Sequence, residues 1–167
     1  MKQSEGFPPV ARANARVLVL GSLPGARSIA EQQYYAHPQN AFWPIMRELF
    51  GIDGSYVMRC SQLMENRIAL WDVLQSSVRP GSMDADIQLG SAVANDFRGF
   101  LGEHAGIRLI AFNGKKSEQL FGRYVGADDA SGDIVRLGLP STSPAYASMP
   151  FSGKLAAWRA VLENVAK

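Results

Sequence analysis

Cysteine is almost absent from this chain. Cys60 is the single one among 167 residues, which excludes an intrachain disulfide and any metal site built on a cysteine cluster. Histidine is nearly as scarce. His37 and His104 lie far apart and have no ligand partner at helical spacing, so no metal and no cofactor is expected. No run of about 18 apolar residues is present, so no membrane span is expected. The opening MKQSEGFPPVARANAR has an early lysine but no apolar stretch of the kind a secretory leader needs. Neither sign of charge dominates, with 17 Lys and Arg against 15 Asp and Glu and a formal charge of +2. That balance permits an anionic partner without demanding one, and there is no long basic run or RNP-like pattern. Gly-x-Gly-x-x-Gly leading into a helix and Gly-Lys-Ser/Thr are both missing, which counts against a nucleotide-binding protein. What remains is a metal-free protein expected in the cytoplasm (at the nucleoid, in a bacterium), monomeric and without an obligate protein partner.

What the chain does contain is a run of buried-type segments. A hydrophobic share of 47% and a charged share of 19% suit a globular protein, and the length suits one domain over 1–167. Residues 1–15, with Pro8 and Pro9, form an expected N-terminal arm. Arg16 to Gly21 is a continuous apolar run ending in glycine, as in a strand buried on both faces. A long loop is expected from Ser22 to Asn40, and Asn40 can cap a helix with Phe42, Ile45, Met46, Leu49 and Phe50 at helical spacing and Gly51 at its end. A short helical or irregular stretch covers Ser61 to Glu65, and a second buried run spans Ile68 to Leu74. Ser91 is expected to open a helix reaching about Leu101. Ile107 to Phe112 is a third strand, followed by a helix over Lys115 to Tyr124. Ile134 to Leu137 is a fourth strand, and Lys154 to Ala166 a last helix with Leu155, Trp158, Val161, Leu162 and Val165 on one face. Alternating strands and helices predict a three-layer α/β/α fold around a central four-stranded, mostly parallel sheet. Ligands of such folds bind at the carboxyl ends of the strands. Polar residues gather at those ends here: Ser22, Asp72, Asn113 and Ser141 to Ser143.

Four segments carry possible chemistry. Gly21-Ser22-Leu23-Pro24-Gly25 could bring backbone close to a ligand, or be an ordinary turn. Tyr34-Tyr35-Ala36-His37-Pro38-Gln39-Asn40-Ala41-Phe42-Trp43 sets aromatic rings in a loop, where they can stack on a flat ligand. Phe42 and Trp43 are core candidates, while the two tyrosines are less easily explained by packing. Asn113 both donates and accepts, so it can read a base edge; helix capping is the plainer role. Leu139-Pro140-Ser141-Thr142-Ser143-Pro144-Ala145 puts short hydroxyl residues where they can hold DNA phosphates while the loop enters a groove, or is simply a polar loop.

Taken together, GSLPG, YYAHPQNAFW, AFNG and LPSTSPAYA resemble the hypoxanthine-DNA glycosylase branch of the uracil-DNA glycosylase superfamily. The resemblance runs from about Val17 to the last helix, and AHPQNAFW is its most specific part. The mismatch-specific uracil/thymine glycosylases share the AHP-x-N-x-FW pattern. They carry a water-positioning asparagine at the third position of the first glycine motif, where this chain has Leu23.

The resemblance implies a monofunctional DNA repair glycosylase acting on a deaminated base, most directly hypoxanthine. Asn40 and Asn113 would be catalytic. Ser22, Tyr35 and Asn113 would bind the flipped base, Tyr35 by stacking. Ser141, Thr142, Ser143, Pro144 and Ala145 would bind DNA, with Pro144, Ala145 and Tyr146 as wedge candidates. His37 is a further candidate as general acid, and Asp72 could be catalytic or hold a structural hydrogen bond. A mismatch-specific uracil/thymine glycosylase and a non-catalytic damaged-DNA-binding module on the same fold are the competing expectations.

Overall fold

The computed structural model describes residues 3–78, 87–126 and 132–166; Met1 and Lys2 of the expected arm lie outside them. Four strands form a parallel sheet in the order β3(Ile68–Asp72), β2(Val17–Gly21), β6(Leu109–Asn113), β7(Val135–Leu139). Alternate residues of the central strands serve opposite faces. Leu18, Leu20, Ile110 and Phe112 pack against α4(Phe97–Glu103) and α5(Lys115–Tyr124). Val17, Val19, Leu109 and Ala111 pack against α2(Phe42–Phe50), α3(Tyr56–Glu65) and α6(Phe151–Val165). The expected α/β/α layering therefore holds.

Several local expectations give way. The Ser22–Asn40 loop contains a six-residue helix, α1(Ala26–Glu31). Helix α3 begins at Tyr56 rather than Ser61, with the Ser55 hydroxyl accepting from the Met58 amide at 3.3 Å. Helix α6 begins at Phe151, three residues before the expected start. The apolar run Ile68–Leu74 divides after Asp72 between β3 and β4(Leu74–Val78).

The largest correction concerns Ser91. No helix starts there, because Ser91 lies within β5(Gln88–Ala94). Its hydroxyl accepts from the Val78 amide at 2.7 Å and donates to the Gln88 carbonyl at 2.8 Å. The helix begins six residues later, capped by Asp96, whose carboxylate accepts from the Gly99 amide at 3.0 Å. Strands β4 and β5 join β1(Gln3–Glu5) in an antiparallel sheet ordered β1-β4-β5. The arm is thus tied down. Val10 bridges Leu70, and the Phe7 carbonyl accepts from Trp71 Nε1 at 3.1 Å.

Because the main sheet is parallel, the carboxyl ends of its strands share one edge. Gly21 lies opposite Asp72, and Asn113 opposite Leu139. The chain leaves β2 toward β3 on one side and β6 toward β7 on the other, so the strand order reverses between β2 and β6, where α/β folds open a ligand crevice.

Candidate active site

The crevice at that switch point has a volume of about 790 Å³ and is lined by Ser22, Leu23, Tyr35, Asn40, Asn113 and Thr142, among others. That size accepts a ligand of a few rings. The structure brings together here the residues that the sequence scatters over four loops.

Asn113 ends β6 and is nearly buried. Its Oδ1 accepts from the Thr142 amide at 2.9 Å, and its Nδ2 donates to Thr142 Oγ1 at 2.9 Å. Both contacts go to one residue and fix which way the amide points. One N–H and one lone pair are left over, on opposite flanks of the amide, so Asn113 can offer a ligand single hydrogen bonds but no two-pronged contact. Gly114 permits this arrangement. Its φ is +94°, and a Cβ there would stand 3.0 Å from Ser141 Cβ.

Asn40 sits just before α2, where Oδ1 accepts from the Phe42 amide at 2.9 Å. That contact orients the side chain and leaves one lone pair and both N–H groups. The next residue links the two halves of the site, as the Ala41 amide donates to the Thr142 carbonyl at 2.9 Å. Thr142 is 1% exposed. Its three polar groups all face the protein: carbonyl to Ala41, amide and hydroxyl to Asn113.

Both tyrosines border the crevice, but they are held differently. Tyr34 is structural: its hydroxyl donates to the Pro8 carbonyl at 3.0 Å, and its carbonyl accepts from Trp43 Nε1 at 2.9 Å. Burial, and then the Asp72 carboxylate, push its phenol above the ordinary value. Tyr35 lines the crevice with φ at +55°, a conformation that costs a non-glycine residue on the order of 1 kcal/mol and collects at functional sites. One ring face packs on Phe42, with centroids 4.4 Å apart. Gly21 makes room beneath it. A Cβ there would fall 2.5 Å from Asp72 Oδ1 and 3.0 Å from the Tyr35 hydroxyl oxygen.

The remaining wall is the loop after β7. Ser141 Oγ accepts from the Ser143 amide, and Ser143 Oγ from the Ala145 amide, each at 3.1 Å. These contacts shape the loop and aim its tip outward. His37 stands exposed at the rim, its Nδ1 accepting from the Gln39 amide at 3.1 Å, which leaves the neutral ring's proton on Nε2. Among the described residues, no three His, Cys, Asp or Glu side chains converge as a metal site would require.

The family model for the uracil DNA glycosylase superfamily matches residues 8–165. The chain belongs to that superfamily. Two curated relatives called hypoxanthine DNA glycosylase come from Methanosarcina. The M. acetivorans protein is 43% identical over 115 residues, 67% of this chain and 72% of its own length. The M. barkeri protein is 40% identical over 118 residues, 69% of this chain and 73% of its own. A solution NMR structure of a candidate uracil DNA glycosylase from M. acetivorans superposes with a TM-score of 0.81 at 34% identity, covering 99% of this chain and all of that one.

Leu23 lines the crevice yet is 6% exposed and part of the core, so the first glycine motif presents an apolar side chain to the site. One residue that sequence reasoning passed over touches the loop after β7 without lining the crevice. Lys154 contacts the loop from behind, with Nζ 3.5 Å from the Ser143 carbonyl. Its signal was a lysine one turn before Trp158 on the apolar stripe of the last helix.

Proposed function

We propose that this protein hydrolyses the N-glycosidic bond of hypoxanthine in DNA. The observation that carries the reading is the crevice itself: a stacking ring, Tyr35, and two oriented amides, Asn40 and Asn113, surround a space that the apolar Leu23 also lines. The names of the relatives at 40–43% identity support the same base.

The lesion turns out of the duplex into the crevice and stacks against Tyr35. Extrusion costs a few kcal/mol, least for a poorly paired base. The C1′–N9 bond breaks, and its electron pair leaves with the purine. The remaining N–H of Asn113 and the backbone at Ser22 stabilise the charge that develops on the leaving base. Water adds to the electron-poor C1′, and the proton it releases ends on the departing base. So electrophilic a centre needs its water oriented more than deprotonated, and Asn40 supplies the orientation. Ser141 and Ser143 shape the backbone-holding loop, Pro144 and Ala145 its tip, and Thr142 contributes from within the wall. The protein acts as a monomer without a cofactor.

The test is release of free base from duplexes carrying hypoxanthine, uracil or neither, in the presence of a chelator, with Asn40→Ala and Asn113→Ala alongside. Hypoxanthine release that both substitutions abolish supports the assignment. Preferential uracil release would overturn the substrate and redirect the search for the water-positioning group. Binding without release from any duplex would leave a damage-binding module.

A further inference from the structure

Helix α6 supports the loop after β7 with two side chains one turn apart. Trp158 Nε1 donates to the Pro140 carbonyl at 2.9 Å, and Lys154 Nζ reaches the Ser143 carbonyl at 3.5 Å. That carbonyl also accepts from the Tyr146 amide at 3.0 Å. The same ammonium lies 5.4 Å from the centroid of the Tyr146 ring. One cation therefore touches both ends of a segment whose tip is Pro144 and Ala145.

The position is an expensive one for a charge. Lys154 is 6% exposed, and lysines are almost never fully buried unless paired. Among the described residues no carboxylate forms an ion pair with it. It stands near the start of α6, where the helix dipole opposes a cation. Burial lowers its pKa below the ordinary lysine value. An apolar side chain would fill the place at less cost, as Trp158 and Val161 do farther along the helix. What the charge gains is contact with the loop.

We propose that Lys154 is a positioning residue for duplex opening: through the Ser143 carbonyl and the Tyr146 ring, its ammonium holds the Pro144–Tyr146 tip in the shape that fills the gap behind an extruded base. This rests on reading that loop as the part that enters DNA. Lys154 acts on the opening step and not on bond cleavage, and it is the charge that matters. A neutral side chain of equal length supplies neither a charge-assisted donor nor a cation for the ring face.

The test compares base release from two duplexes. One has hypoxanthine opposite thymine. The other has hypoxanthine opposite an abasic position, where no pairing has to be broken. A 2-aminopurine next to the lesion reports unstacking independently of release. The variants are Lys154→Met, Lys154→Arg and Tyr146→Ala, each checked by thermal melting. Lys154→Met is expected to lose about tenfold in kcat/KM and most of the fluorescence rise on the paired duplex, and to stay within about twofold of wild type on the other. Lys154→Arg recovers most of the loss, and Tyr146→Ala lowers release from the paired duplex more than release from the other.

Equal slowing of both duplexes by Lys154→Met, or no recovery with Arg, overturns the proposal. If Tyr146→Ala alone changes the ratio, the loop reading stands and the role of Lys154 falls. If neither variant changes it while release persists, the loop reading falls with the proposal. If wild type releases no hypoxanthine, the unstacking signal still decides the matter for Lys154.

Discussion

Replacing Asn113 with aspartate separates holding the site together from doing chemistry in it. The two side chains have the same shape. Oδ1 would go on accepting from the Thr142 amide, now 2.9 Å away. The second contact, Nδ2 to Thr142 Oγ1 at 2.9 Å, survives in reverse, because a threonine hydroxyl donates as readily as it accepts. Both anchors persist, and the melting temperature should move by only about 2–4 °C, the equivalent of roughly 1 kcal/mol in a chain this long. The crevice-facing N–H, however, becomes a lone pair. Losing one donor to a developing anion costs about 10²–10³ in kcat, and a carboxylate beside the departing purine adds repulsion. Single-turnover base release is the assay, with a melting curve on the same sample. A variant that melts normally and keeps kcat within about threefold of wild type would refute the assignment of the leaving-group donor to Asn113.

Other substitutions probe the neighbouring parts. Gly21→Ala places a methyl group 2.5 Å from Asp72 Oδ1 and 3.0 Å from the Tyr35 hydroxyl; base release should drop more than tenfold while circular dichroism stays native, and unchanged release would show that the Tyr35 ring tolerates displacement. Leu23→Asn should lower the melting temperature by burying an amide in the core, and should raise the ratio of uracil to hypoxanthine released in a paired assay. For Lys154, a folded pKa below the unfolded one means the charged form is disfavoured by folding. The resulting penalty is full below the folded pKa and fades as pH rises through it toward the unfolded value. The stability gap between wild type and Lys154→Met, followed by urea melts, should therefore narrow toward alkaline pH, whereas an unchanging gap would mean the burial cost of the charge is small.

The parallel sheet was legible because strands buried on both faces must be apolar throughout, as Val17–Leu20 and Leu109–Phe112 are. The site was legible for the complementary reason: Ser22, Asp72 and Asn113 interrupt apolar runs where those strands end. The antiparallel sheet was not. Ser76, Ser77 and Ser91 are polar residues whose partners lie across the sheet, and the register between β4 and β5 shifts twice, which blurs any two-residue alternation. Ser91 carries the capping chemistry of a helix start, but its hydroxyl is taken by Val78 and Gln88, so tertiary pairing overrides the local signal. Helix α1 has no acidic residue in its first turn and no side-chain cap, leaving nothing local to announce it. Lys154 was hidden for a simpler reason: a lysine is presumed to face water, and this one faces a carbonyl.

The contact between Ala41 and Thr142 limits how the activity could be redesigned. Loop grafting usually treats each connection as an interchangeable cassette. Here, bringing in residues 34–43 from a relative of different base preference would leave the new Asn40 resting on a wall whose other half, and the amide of Asn113, were fitted to the original. The transferable unit is the pair of segments 34–43 and 140–146 together with Asn113, and chimeras that respect that unit should retain activity where single-loop exchanges lose it.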